Sequence, residues 1–457
     1  MIQTVNPPLT ITPYGLAVPY SLRISLLALP VLAFAMAHEA FGQSAEGLRP
    51  TLAGEEQDVE PVVPARPRVT RLEAGTAVGE EAPVRRRRAA VDPYAPSGID
   101  AGAFRLFPVL ETGVALSSNP ALNTTNTKAD AGIYFRPSIK LQSDWVRHQL
   151  DFDVNGDFIA FLSESSADAQ SLDADVTLRL DVLRSTTLDI DLAYALDSSA
   201  DPGDIGESGF DQTVSDFATL TRRMGKLAVR ARTGARLSTS GETEGTDNSD
   251  LDFVEPELAL RASYDLTPTL TPFIEAGYRP RIFLETRDRN GIKRSSQGAF
   301  AGGGLNFNLA PFWTADAAVN YLIRDFDDPA LSNAGDLTAR ASVTWRPSDL
   351  TTFTLAGSSA LSDSTSSNVS GSRTTTVDFD ISHDLRENIT LNASAGIEAE
   401  KTGSGTDFTF TTGADGIYRL TPWLALTAAY DFLAFDSPGG LDDYTEHRVT
   451  AGIELRR

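Results

Sequence analysis

Asp151 and Asp153, then Asp173, Asp175 and Asp181, then Asp189 and Asp191 recur at even spacings along three stretches of the chain, with Arg179 in the same phase. A second group follows, made of Arg230, Arg232 and Arg236, then Arg261, Arg279 and Arg281. Charges at a period of two share one face of an extended strand. So many charges cannot face lipid or a dry core; they must line water or pair with one another. Carboxylate rows beside guanidinium rows do electrostatic chemistry. They set a field across a wet passage that orients dipolar, hydroxylated solutes, or they neutralise each other on neighbouring strands and make the interior compatible with water.

Covalent and acid–base chemistry has little material. The chain has no cysteine, which excludes disulfides, zinc-thiolate sites, thiol nucleophiles and lipid anchors on cysteine. No HExxH, GxSxG, P-loop or EF-hand pattern occurs. Of the four histidines, His148 and His383 stand beside short connections, His447 is in the apolar phase of the last run and His38 precedes the patterned region. None shares a polar face with a serine and an acid, so a Ser–His triad has no home. The expectation is a non-enzyme without cofactor or metal. Lys and Arg number 39 against 62 Asp and Glu, a net charge of −23, which argues against a nucleic-acid partner.

The elements that carry the charges are strands. From 172 to 182, Leu172, Ala174, Val176, Leu178, Leu180 and Val182 alternate with Asp173, Asp175, Thr177, Arg179 and Asp181. The same alternation fits Leu150-Phe152-Val154, Leu188-Ile190-Leu192-Tyr194, Ala315-Ala317-Val319-Tyr321-Ile323, Ile389-Leu391-Ala393-Ala395-Ile397 and Val449-Ala451-Ile453-Leu455. Runs of about ten residues suit tilted strands crossing a bilayer. Eight short turns alternate with nine long polar loops, which predicts about eighteen strands; Pro108, Pro137, Pro256, Pro272 and Pro280, and blurred alternation at 212–223 and 299–304, leave room for sixteen. The three glycines of 299–304 imply a bulge or a close backbone approach. A propeller shares the roughly 40-residue repeat but lacks this alternation of connections. Trp145, Trp313, Trp345 and Trp423 all fall near short turns, as expected of a membrane-interface girdle. The predicted fold is all-β: a transmembrane antiparallel up-and-down β-barrel of about 16–18 strands, long loops outside and short turns in the periplasm.

Three regions follow. Residues 1–42 read as a secretory signal region, with Arg23 before the apolar stretch ISLLALPVLAFAMA and small residues after it. Residues 43–100 read as a disordered Pro/Glu/Arg-rich linker, whose Arg85–Arg88 run is a solvated charge run or a site for an acidic polymer. Residues 101–457 form the barrel. Loop carboxylates at Asp201, Asp204, Glu207, Asp325, Asp327, Asp328, Asp442 and Asp443 are solvated, or bridge through divalent cations to lipopolysaccharide phosphates.

The opening run FRLFPVLETGVALSSNPALN, with its Ser118-Asn119-Pro120 loop start, and turn–Pro–strand units such as Tyr264-Asp265-Leu266-Thr267-Pro268 resemble the putative β-barrel porin 2 family from about residue 101 to the end. The resemblance implies a Gram-negative outer-membrane location and a pore. It implies outer-membrane lipids, lipopolysaccharide and the barrel assembly machinery as surroundings, with some relatives accompanying exopolysaccharide export. Such barrels usually end in an aromatic residue, whereas this chain ends Ile453-Glu454-Leu455-Arg456-Arg457. The functional expectation is a porin passing small hydrophilic solutes, with Asp151, Asp153, Asp173, Asp175, Arg179, Asp181, Asp189, Asp191, Arg230, Arg232, Arg236, Arg261 and Arg279 lining the pore. Alternatives are a component passing an exported polysaccharide and a non-conducting structural or adhesive barrel.

Overall fold

The computed structural model describes residues 93–198, 210–241, 248–362, 372–401, 405–440 and 443–457. The secretory signal, the tether up to residue 92 with Arg85–Arg88 and His38, and the loop residues Asp201, Asp204, Glu207 and Asp442 lie outside the described residues.

The strands run in chain order. The first ten are β1 (Ile99–Asp100), β2 (Phe104–Ser117), β3 (Asp130–Ser143), β4 (Gln149–Phe161), β5 (Ala169–Leu183), β6 (Thr186–Asp197), β7 (Asp211–Met224), β8 (Leu227–Thr239), β9 (Phe253–Tyr264) and β10 (Leu270–Tyr278). The rest are β11 (Ile282–Phe283), β12 (Ser296–Leu309), β13 (Trp313–Phe326), β14 (Ala334–Ser348), β15 (Thr351–Ser362), β16 (Ser372–Arg386), β17 (Ile389–Lys401), β18 (Thr406–Thr421), β19 (Leu424–Asp436) and β20 (Tyr444–Arg456). Successive crossings pair antiparallel, β10 with β12 across the short β11, and β20 closes the sheet on β2 from Val109↔Arg456 to Ser117↔Arg448. Because β9 pairs with both β10 and β11, those two segments are one interrupted crossing. Setting the two-residue β1 aside, the barrel has eighteen crossings, the upper of the two expected counts. Closure leaves no sheet edge for lipid to meet, the condition for spanning a membrane with strands. No helix among the described residues is long and apolar enough to cross one.

The faces follow the sequence period. Outward residues such as Val114, Leu116, Ile133, Leu258, Leu260, Ile274, Val319, Ile323 and Leu337 are exposed around the barrel. A continuous apolar belt of that kind is far beyond what a water-soluble monomer tolerates. All four tryptophans sit at the short-turn end, where Trp313 stacks on Trp345 with centroids 5.3 Å apart, Trp345 on Phe353 at 5.0 Å, and Trp145 meets the edge of Phe104 at 5.6 Å.

The five strand prolines have a common solution. Each lacks the N–H that a ladder would use, and each is paired on at most one side. Pro108 pairs with Ile139 but lies beyond the end of β20; Pro137 pairs with Leu110 and not with β4; Pro272 pairs with Leu305 and not with β9. Pro256 pairs with Ala235, while the β9 ladder to β10–β11 stops between Leu258↔Tyr278 and Val254↔Ile282, which brings Pro256 and Pro280 to the same gap.

The blurred stretch 212–223 is β7, and its reason is an inverted pair. Phe217 points inward beneath the Arg232 guanidinium, 3.7 Å from its ring centroid, while Asp216 breaks the outward series Val214, Ala218, Leu220 and accepts a hydrogen bond from Ala235 N at 3.2 Å. A carboxylate on the lipid side is destabilising, though less so than Arg or Lys. Asp216→Leu is therefore expected to raise the barrel's stability by about 1 kcal/mol, read as a higher urea midpoint at unchanged slope. The run 299–304 holds a regular β12–β13 register, so a bulge is excluded; a Cβ at Gly302 or Gly304 would collide with Val319 O or Ala317 O, which leaves close backbone approach.

At the seam, Arg457 N donates to Pro108 O at 3.1 Å, and β1 pairs with Arg105 and Leu106 just past the end of β20. Outward Ile453 and Leu455 end the strand in place of an aromatic residue, while Glu454 and Arg456 are buried and paired at 3.4 Å.

Candidate functional site: the charged interior

A cavity of about 2090 Å³ occupies the barrel from the short turns at Arg184–Ser185 and Thr267–Thr269 up to Arg236, Glu257 and Arg279. Its walls hold Asp151, Asp175, Arg179, Asp181, Asp189, Asp191, Arg230, Arg232, Arg236, Arg261 and Arg279. Asp153 and Asp173 are on the same inward face nearer the long loops, outside this lining, and Asp153 is 3.9 Å from Lys140.

The wall expected to be basic holds three glutamates as well, and they organise it. Glu255, 4 % exposed, takes Arg281 Nε and Nη2 at 3.0 and 2.8 Å, Arg324 Nη2 at 3.4 Å and Arg279 Nε at 3.5 Å. Arg324 also donates to Ser296 Oγ at 3.0 Å. Glu257 accepts from Arg232 Nη1 at 2.8 Å and lies 3.7 Å from Arg279 Nη1. Glu275 accepts from Arg261 Nε at 2.9 Å, Asn320 Nδ2 at 2.8 Å and Arg340 Nη2 at 3.1 Å. Arg261 and Arg281 further cover the rings of Phe273 and Phe253 at 4.2 and 4.4 Å. Glu255, Glu257, Arg279 and Arg281 flank the gap where Pro256 and Pro280 interrupt the ladder, so ion pairs span strands that backbone hydrogen bonds do not join.

Glu255, Glu257, Glu275, Asn320, Arg324 and Arg340 were absent from the expected lining. The signal was available: Ala317-Val319-Tyr321-Ile323 outward puts Asn320 and Arg324 inward, and Glu255-Pro256-Glu257 alternates in the same way. Among the described residues the lining carries eleven cationic and eight acidic side chains, against a net of −23 for the chain. Its acids concentrate on β4–β6 and its arginines on β8–β10, which sets a field across the space.

Among the described histidines, none lies in the cavity lining. Asp181 N donates to His148 Nδ1 at 3.2 Å, His383 Nδ1 is 2.9 Å from Thr351 Oγ1, and His447 stands on the outward face of β20, 2.9 Å from Tyr430 Oη. No group of three or more potential metal ligands occurs among the described residues.

The long loops narrow the other end. Leu122 packs on the inward residues Phe435 and Tyr444, and the Asn119 side chain closes the turn at Ser118-Asn119-Pro120 by accepting from Asn123 N and donating to Thr445 O. Across the mouth, Arg289 Nη2 pairs with Asp250 at 2.7 Å and Lys293 N donates to Asp328 at 2.9 Å, tying three loops together. Burial raises the Asp288 carboxyl, but donors Ile292 N, Arg294 Nε and Asn290 N outweigh it and hold its pKa below the ordinary value. Arg289 does the same for Asp250. A depressed folded pKa gives stability that is present above the unfolded value of about 3.9 and lost as pH falls through the folded one. The 284–295 loop is thus expected to resist protease at neutral pH and open below about pH 4. Asp288→Asn should flatten that step, measured as cleavage rate against pH.

A strand-closed barrel with an apolar belt and a polar interior is an outer-membrane β-barrel of porin type. The sequence model of the putative β-barrel porin 2 family matches residues 92–457, and the chain belongs to that family, which places it in the outer membrane of a Gram-negative bacterium. Comparison with curated protein sequences gives no match. Similar solved structures include the outer-membrane protein OpdK of Pseudomonas aeruginosa, at 12 % identity and TM-score 0.40 over 77 % of this chain and 98 % of that one. They also include OccAB3 of Acinetobacter baumannii, at 10 % and 0.39 over 78 % and 99 %. A BenF-like porin of Pseudomonas fluorescens Pf-5 gives 11 % and 0.41 over 78 % and 99 %. The porin reading is favoured over polysaccharide export or a purely structural barrel.

Proposed function

We propose that the protein is a passive, non-enzymatic channel for small hydrophilic solutes, with anions favoured. The observation that carries this is the 2090 Å³ cavity lined by charged side chains, with more cations than acids among the described residues of its lining inside a strongly acidic chain. Excess fixed positive charge in a low-dielectric wall raises the local concentration of anions and the rate at which they enter. The residues expected to line the pore supply that charge, while Glu257 and Glu275 keep the guanidiniums paired so that a passing solute is held weakly and released. The tryptophans at the short-turn end serve as the interface girdle. Lipopolysaccharide around the long loops and the barrel assembly machinery complete its surroundings. Liposome swelling tests the reading: vesicles holding the protein should swell in a monosaccharide faster than in a trisaccharide, and faster in a monovalent sugar acid than in the neutral sugar. Vesicles that swell no faster than empty ones would contradict it.

A further inference from the structure

One strand separates two rows of opposite charge. On one side of β7, β6 turns Asp189 and Asp191 into the cavity. On the other, β8 turns in Arg230 and Arg232. Between them the inward face of β7 carries the uncharged Ser215, Phe217, Thr219 and Thr221, with Arg223 at its short-turn end. The register is fixed, because Thr219 is opposite Asp189 on one side and Arg232 on the other. Two strand spacings put the rows about 9.6 Å apart at the backbone. Asp189 lies 3.9 Å from Arg179 on β5 and Arg232 lies 2.8 Å from Glu257 on β9, while across the strip Arg230 faces Asp189 and Arg232 faces Asp191.

We propose that this strip is a binding site for zwitterions, a solute class that deepens the channel reading and rests on it. The solute's ammonium group meets Asp189 and Asp191, its carboxylate meets Arg230 and the Arg232 guanidinium that lies over the Phe217 ring, and its short apolar middle crosses the β7 face at Thr219. A span of about 9.6 Å less two charge-assisted contacts of about 2.8 Å each leaves room for charges about 4 Å apart. A solute with one charge can use only one row. A zwitterion uses both, and lies with its dipole along the transverse field.

The test is calorimetric titration of the full chain in detergent micelles with 4-aminobutyrate, butyrate and n-butylammonium. The first probe should bind at least tenfold tighter than either of the others. Asp189→Asn with Asp191→Asn should bring it down to the affinity of butyrate while leaving butyrate unchanged. Equal affinities for the three probes, no binding of 4-aminobutyrate, or a preference that survives the double substitution would overturn the site. Should the variant fail to fold, the comparison of probes on the native chain still decides. Binding needs no conduction, so a barrel that conducts without this preference loses the site alone. One that binds without conducting loses the channel reading instead.

Discussion

Replacing Glu255 with Gln should lower the stability of the folded barrel by about 3–5 kcal/mol, the usual loss when one partner of a buried ion pair is removed. Three arginines depend on that carboxylate: Arg281 at 2.8 Å, Arg324 at 3.4 Å and Arg279 at 3.5 Å. Arg324 is 2 % exposed and cannot turn to water for compensation. The position matters doubly, because the β9 ladder to β10–β11 is cut at Pro256 and Pro280 and has no backbone bonds there to take up the load. Urea titration followed by the mobility shift of the folded barrel measures the effect. Glu257→Gln should cost less, since its main partner Arg232 keeps the Phe217 ring and a quarter of its surface in solvent. Equal midpoints for Glu255→Gln and the native chain would mean that the cluster is not what joins these strands.

Converting Arg184, Arg223 and Arg230 together to Gln should abolish anion preference. The lining then holds eight cations against eight acids, where the native lining holds eleven against eight. Under a tenfold potassium chloride gradient the reversal potential should move from the anion side to near zero. Asp151→Asn with Asp175→Asn should move it the other way. Neutral substitutions on a wet, inward face leave the lipid contacts intact, so folding is not at issue. An unchanged reversal potential in both variants would place the selectivity-determining charges elsewhere.

The barrel was legible because one physical rule, period-two alternation between lipid and water, applies to nearly every strand. Leu172–Val182 is a case in point, and the order of short and long connections then bounded the strand count at sixteen to eighteen. The places where the rule blurred are places where another contact took precedence. Asp216 turns outward because the Arg232–Phe217 stack claims the inward position and Ala235 N holds its carboxylate. The strand prolines looked like obstacles in sequence, yet they mark ladder gaps, and the pair at 256 and 280 marks the ion cluster. The candidate site was only half legible. Periodicity shows which charges face inward, so Asp189 and Arg230 could be named. It does not show which strands converge, and the joining of Glu275 to Arg340, 65 residues on, depends on four strands brought side by side.

Single-channel recording of the full-length protein in a planar bilayer tests the central claim most directly. The account predicts discrete, stable conductance steps in potassium chloride whose reversal potential under a salt gradient lies on the anion side. A preparation that is folded by its mobility shift and yet carries no current would contradict it.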